Sequence, residues 1–443
     1  MSETWLTMTA SDLGRGIAKG DIDPVALTEV YLDAAQVQEI TPRIYARMTE
    51  DRARAEAKAA ATRAKNGLRA SFLDGVPISW KDLFDTAGVA TEAGSALLKD
   101  RVPTADAEVL RNATAAGLVC LGKTHMSELA FSGLGLNPIT ATPPCVNNTA
   151  AVAGGSSSGA ATSVAFGIAA GAIGSDTGGS VRIPAAWNDL VGLKTTLGRL
   201  SVKGSVPLSS RFDTVGPLCR SVEDAAHLLS ALEGSPSIDL TGARLEGARF
   251  AILRTAAFDD IRDAPQAAFK SAVERLQNAG AQVADLWIPE VDEALSLSAV
   301  LFSSEAYGQW ADVIEANPDL MFPEILKRFR GGADVLAKDY IQAWFRLEDI
   351  RVEWIKQTSA FDAVILPTSP ILPPDLDRLM SDPDFYVTEN LLTLRNTRIG
   401  NLMGLSGLTL PTGVPSTGIM FLSAPFSEER LLRIGAAAEQ ALS

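Results

Sequence analysis

Residues 174–184 read GSDTGGSVRIP and residues 153–159 read AGGSSSG. Two glycine–serine loops therefore bracket one Ala-rich stretch, and residues 160–172 read as a small-residue helix. Outward from this unit, strand-type and helix-type segments alternate. Upstream, GVPISWK (75–81) is a short β-type run ending on a charge, 105–116 reads as a helix, and LVCL (118–121) as a strand. Downstream come a helix over 223–232, strands over 249–253 and 282–287 with a helix over 266–279 between them, strands over 361–367 and 418–422, and a last helix over 428–442. Such alternation predicts an α/β layer architecture around a largely parallel sheet covered on both faces.

Residues 9–70 read as helices. Ser11 and Asp12 can cap one, Asp23 with Pro24 opens another, and Ala, Arg, Lys and Glu dominate 50–66. Residues 292–360 carry few strand signals and read as a helical insertion. With no repeat and no low-complexity linker, the pattern predicts one domain over 1–443, with its chemistry concentrated in 71–200.

The 443 residues are 47% hydrophobic, ample for a large core. The formal net charge of −14 repels phosphate backbones and argues against a nucleic-acid partner. Cys120, Cys145 and Cys219 are too few and too scattered for a disulfide framework or a metal-binding spacing, which fits a reducing compartment. MSETW at the start lacks the basic residues and apolar run of a secretory signal. The longest apolar run, 164–174, is about half the length that spans a bilayer. A cytoplasmic protein without a membrane partner is expected.

The two loops carry the chemistry. Glycine lets backbone N–H groups approach a ligand closely, and consecutive N–H groups form an anion-accepting nest. Thr177, Gly178, Gly179 and Ser180 can place such a nest beside the Ser180 hydroxyl, with Pro184 near the first turn of the following helix. A nucleophile next to donors for a developing oxyanion is what acyl transfer requires. The hydroxyl needs a base, and the chain holds only His125 and His227, neither with a motif that supplies an orienting carboxylate. A Ser–Lys arrangement is the alternative. Lys81 ends an apolar run, where burial disfavours the ammonium and lets a lysine act as a general base.

At this point the sequence resembles the amidase signature family. GGSSSG (154–159), GSDTGGSVRIPAA (174–186) with GLK (192–194), and GVPISWKD (75–82) match the family's first loop, signature core and lysine strand in order and spacing. Weaker matches are GKT (122–124), FDTVGP (212–217), LPT (366–368) and residues 404–411. The resemblance implies an α/β/α sandwich around a mixed, mostly parallel sheet, commonly in homodimers. It also implies a triad in which Ser180 is the nucleophile, Ser156 bridges through a cis peptide, and Lys81 is the base. The amides of Thr177, Gly178, Gly179 and Ser180 would form the oxyanion hole, and no metal or organic cofactor is required. His125, Asn188, Asp189, Thr195 and Thr196 depart from common family patterns without removing a catalytic atom.

GLVCLGKT (117–124) fits a phosphate-loop pattern in letters only, because a helix precedes it and its variable residues are strand-like. Ser157, Ser158, Asp176 and Arg182 are expected to support the site through loop and cap hydrogen bonds. Phe302, Tyr307, Trp310, Met321, Phe322 and Trp344 are read chiefly as core. Arg395 and Arg398 are read as a solvated helix face, with contact to a substrate carboxylate as the alternative. The functional expectation is hydrolysis of a small carboxamide. The alternative is the amidase subunit of a tRNA-dependent amidotransferase, against which the short, acidic chain counts; a non-enzymatic relative is disfavoured by the intact Lys81, Ser156 and Ser180.

Overall fold

A computed structural model describes residues 3–443. Its strands are β1 (Tyr45–Met48), β2 (Pro77–Lys81), β3 (Val119–Thr124), β4 (Pro144–Cys145), β5 (Asn148–Val152), β6 (Gly171–Asp176), β7 (Val191–Lys194), β8 (Thr214–Cys219), β9 (Arg249–Leu253), β10 (Gln282–Leu286), β11 (Ala363–Pro367), β12 (Ser406–Pro411) and β13 (Gly418–Ser423). All but β4 and β5 join one sheet in the order β1-β3-β2-β6-β8-β7-β12-β13-β11-β9-β10.

The sheet is mixed, as expected. Parallel pairing runs β3–β2–β6 on one flank and β11–β9–β10 on the other. Edge strand β1 and every adjacency from β6 to β11 are antiparallel. The parallel share is thus smaller than helix–strand alternation predicts. The middle of the sheet is closed by direct returns, such as residues 412–417 between β12 and β13, which need no crossover helix.

Helices cover both faces. A Cβ at Gly171 of β6 would point at Leu228 of helix Val222–Glu233, whereas one at Gly174, on the opposite face, would meet Ser157 at the head of helix Ser158–Ala165. The latter helix ends earlier than the 160–172 expected. Gly167 turns at φ 73° and the chain re-enters as β6, whose residues are all buried. A strand buried on both faces loses the two-residue alternation and reads as an apolar run. Edge strand β1 likewise falls inside the stretch expected to be all helix. Pro184 is the third residue, not the first, of helix Arg182–Trp187.

Between β10 and β11 the chain is helical, with helices Glu290–Ala316, Pro323–Arg330 and Ala337–Thr358. The first and last of these pack onto the β9–β11–β13 side through an apolar cluster in which Phe212 lies 4.2 Å from Phe302 and stacks on Trp344 at 5.1 Å, whereas Ile325 and Phe329 of Pro323–Arg330 join the main core. Helix Pro383–Leu402, of which the sequence suggested only a helix face at Arg395 and Arg398, reaches the glycine–serine loops.

Phe421 of central strand β13 is fully buried and meets Phe250 edge-on at 5.5 Å. Phe421→Ala is expected to cost roughly 3–5 kcal/mol, read as a lowered denaturation midpoint in a urea titration.

Candidate active site

Strand pairing sets the first contact. β2 and β6 are parallel neighbours, with Trp80 opposite Ile173, so their C-terminal ends emerge side by side. Ligands in α/β sheets bind at such ends. Lys81, wholly buried, closes β2 and donates hydrogen bonds to Ser156 Oγ at 2.7 Å and to Ser175 Oγ at 2.8 Å. Burial pushes the Lys81 amine down to about 7, against the attraction of Asp176 and Asp213.

The two loops meet back to back. The Gly155–Ser156 peptide is cis. The Ser157 amide donates to the Ser180 carbonyl at 3.1 Å, and the Ser157 hydroxyl donates to the Ser175 carbonyl at 3.2 Å. These bonds bring Ser156 and Ser180 to one place. No direct hydrogen bond joins the Ser156 and Ser180 hydroxyls in this arrangement; the wire is drawn from Lys81 as far as Ser156.

Asp176 organises the second loop. Its carboxylate accepts from the Gly179 amide at 2.8 Å, the Val181 amide at 3.1 Å, and Arg182 Nε and Nη2 at 3.0 and 2.8 Å. Burial alone would raise this acid, but the Arg182 charge and hydrogen bonds hold it well below the usual carboxylate range. Arg182 also donates to the Thr397 carbonyl at 2.7 Å and to Asn401 Oδ1 at 2.6 Å. The loop is thereby pinned to helix Pro383–Leu402, and Thr397 Oγ1 adds a bond to the Gly178 carbonyl at 2.8 Å. Gly179 is required here: its φ is 139°, and a Cβ would lie 2.1 Å from Thr397 Oγ1.

The structure divides the expected nest. The Gly179 amide is occupied by Asp176, so it does not join the free donors. The amides of Thr177, Gly178 and Ser180 meet no protein acceptor among the described residues, and all three residues line one cavity.

Sequence reasoning missed several residues that hold the site. Ser175 steadies the Lys81 amine. Asp213, inside the FDTVGP stretch, accepts from Thr177 Oγ1 at 2.6 Å and from the amides of Leu208 and Ser209 at 2.9 and 3.0 Å. Burial pushes Asp213 up to about 6. Thr397 and Asn401 lie on the inward face of helix Pro383–Leu402, of which only the Arg395 and Arg398 face was read from the sequence. Their signal was a stripe of small polar residues at helical spacing (Asn390, Thr393, Thr397, Asn401), all buried.

Ser180 opens onto a cavity of about 260 Å³. Its far wall is the helical insertion, with Ser298, Phe302, Lys327 and Arg328, together with Leu394 and Arg398 of helix Pro383–Leu402. Phe302 and Arg398 are therefore pocket residues. Arg395 is not, since it donates to the carbonyls of Ala257 and Asp259.

The remaining candidates take structural places. His125 receives the Gly159 amide on its carbonyl, and His227 stacks on Phe72 at 3.9 Å. Lys123 sits within β3 and donates to Asp82 and Thr91 at 3.1 and 3.0 Å, so 117–124 forms no phosphate loop. Asn188 ties Ala153 and Pro184 together through two bonds of 2.8 Å, and Asp189 accepts from the Ser416 amide at 2.8 Å. No group of three or more His, Cys, Asp or Glu side chains among the described residues could hold a metal ion. No described helix is long and apolar enough to cross a membrane.

Fold and site together define a hydrolase of amide bonds, and comparison with known proteins agrees. Residues 26–432 match the Amidase family, and the chain belongs to it, with the amidase signature in place. A 2-amino-5-chloromuconic acid deaminase of Comamonas testosteroni is 36% identical, the match covering 89% of this chain and 87% of that one. A glutamyl-tRNA(Gln) amidotransferase subunit of Myxococcus xanthus (strain DK1622) is 32% identical over 98% of this chain and 97% of its own. Among solved structures, the peptide amidase of Stenotrophomonas maltophilia superposes with a TM-score of 0.81 at 27% identity, covering 98% of this chain and 97% of that one.

Arg182→Met would strand the Asp176 charge in the interior and is expected to cost about 3–5 kcal/mol. Replacing both partners by apolar residues should cost less than the sum of the single changes, a coupling that a double-mutant cycle in denaturant measures.

Proposed function

We propose that this enzyme hydrolyses a small carboxylic amide to a carboxylate and ammonia or an amine, through an acyl-enzyme on Ser180. The observation that carries this reading is the buried Lys81 amine held 2.7 Å from the Ser156 hydroxyl, next to the loop that bears Ser180. A neutral primary amine has two N–H bonds and one lone pair. On loss of the ammonium proton the Ser156 bond reverses: donation to Ser175 keeps an N–H, and the lone pair accepts the Ser156 proton. Ser156 then takes the proton of Ser180 as Ser180 Oγ attacks the amide carbon. The developing oxyanion is received by the open amides of Thr177, Gly178 and Ser180.

Collapse of the tetrahedral intermediate breaks the carbon–nitrogen bond. The proton returns through Ser156 to the leaving nitrogen. Water then attacks the ester carbon, giving its proton to the same relay, and Ser180 is released with the carboxylate product. Asp176, Arg182 and Ser157 hold the loops in place and exchange no proton with the substrate.

A second reading, the amidase subunit of a tRNA-dependent amidotransferase, is favoured by the end-to-end match to the M. xanthus protein. Ammonia release by the purified chain alone supports the first reading. Release only with partner subunits and glutamine supports the second.

Ser180→Ala should abolish turnover and labelling by a fluorophosphonate probe while the circular dichroism spectrum is kept. Retained turnover would remove Ser180 from its role. Lys81→Ala should lower kcat/KM by ~10²–10⁴. Because the base acts unprotonated and its pKa lies near 7, kcat/KM should be level above about pH 7 and fall about tenfold per unit below it. A profile flat down to pH 5 would exclude Lys81 as the base.

A further inference from the structure

The cavity in front of Ser180 is lined by three cations and no carboxylate. Lys327 stands at its exposed side, and Arg328 and Arg398, both partly buried, stand deeper. This occurs in a chain whose net charge is −14. Other arginines meet acids, as Arg52 meets Glu56 and Asp106 and Arg63 meets Asp74, or donate to backbone carbonyls, as Arg220 and Arg351 do. Arg328 and Arg398 form no salt bridge among the described residues. Arg328 lies over the Phe131 ring at 4.5 Å, and its Nη1 has no hydrogen-bond partner. Arg398 reaches only the Ser298 hydroxyl, at a long 3.4 Å. Burial, then the neighbouring Arg328 charge, push Arg398 down to about 9, still a cation at neutral pH.

Two like charges withdrawn from water without a counter-ion destabilise the folded protein. Guanidinium groups match carboxylates in shape and bond them in pairs. The rest of the lining combines apolar side chains, Phe131, Leu208, Phe302 and Leu394 among them, with the small hydroxyls of Ser132 and Ser303, and in so small a cavity suits a short acyl chain. We propose that the substrate is an amide that carries a free carboxylate, seated on Arg328 and Arg398 while its amide carbon faces Ser180. A dicarboxylic half-amide is the simplest such molecule. The assignment rests on the amidase reading above and narrows its substrate class. Glutamine fits less well, because its α-ammonium would meet the same cations and no acid.

The test compares ammonia release from the half-amides of succinic, glutaric and adipic acid with release from neutral amides of matched length. For the best acyl length, kcat/KM should favour the half-amide by about 100-fold, and glutamine should lie well below it. Arg398→Met and Arg328→Met should each cut that preference about tenfold, chiefly through KM, and Arg398→Lys should keep more of it than Arg398→Met. A second readout needs no turnover. Ser180→Ala protein, titrated calorimetrically with the corresponding dicarboxylates, should bind the one of matching length, and adding Arg398→Met should weaken binding about tenfold.

Equal turnover of charged and neutral amides, or a preference untouched by either arginine, overturns the carboxylate assignment and leaves the amidase reading standing. Binding of a dicarboxylate that depends on Arg398, with no amide hydrolysed, upholds the assignment and overturns the amidase reading. Absence of any dicarboxylate binding overturns the assignment.

Discussion

The primary amine of Lys81 is taken out of water at the end of a parallel strand, and the rest of the site is arranged around the cost of that removal. A buried lysine sheds its proton unless a nearby carboxylate makes the ammonium worthwhile. Two carboxylates, Asp176 and Asp213, are near enough to pull in that direction. Each is engaged elsewhere. Asp176 is saturated by Arg182 and by backbone amides, and Asp213 by Thr177 and two amides. Desolvation therefore prevails at Lys81, and its near neighbours are hydroxyls, which pass protons without holding charge.

The same arrangement explains why small residues crowd this part of the chain. The two loops approach closely enough for backbone groups of one to bond those of the other, and Gly174 and Gly179 leave no space for a side chain. Polar atoms brought this close must all find partners in a dry interior. The network of Ser157, Asp176, Arg182, Thr397 and Asn401 meets that requirement. On the opposite side of the cavity the rule is relaxed, and two guanidinium groups face open space.

Those features that depend on residues close together in sequence are legible from it. The lysine strand, both glycine–serine loops and the absence of a usable histidine are local patterns. The extent and inward face of helix Pro383–Leu402 are hidden because that face carries Asn390, Thr393, Asn396, Thr397 and Asn401, and apolar periodicity is the signal by which a buried helix is found. β6 reads as the continuation of a helix because a strand of glycine and alanine covered on both faces has no alternation. The antiparallel centre of the sheet arises from pairings such as β7 with β12, which join segments far apart in the chain. Arg398 stands out in the sequence, but whether it points to solvent or to the cavity depends on an insertion whose packing the sequence does not encode locally.

The pinning of the Ser180 loop by Thr397 also bears on biosynthesis. The bond from Thr397 to the Gly178 carbonyl spans 219 positions of the chain. A polypeptide leaving the ribosome exposes Lys81, Ser156 and Ser180 long before the helix that fixes them has been synthesised. Translation up to the signature core yields all three proposed catalytic residues without the contacts that pin the Ser180 loop. The loop geometry is thus completed late, and a prematurely terminated product would carry the motif without the helix that pins it.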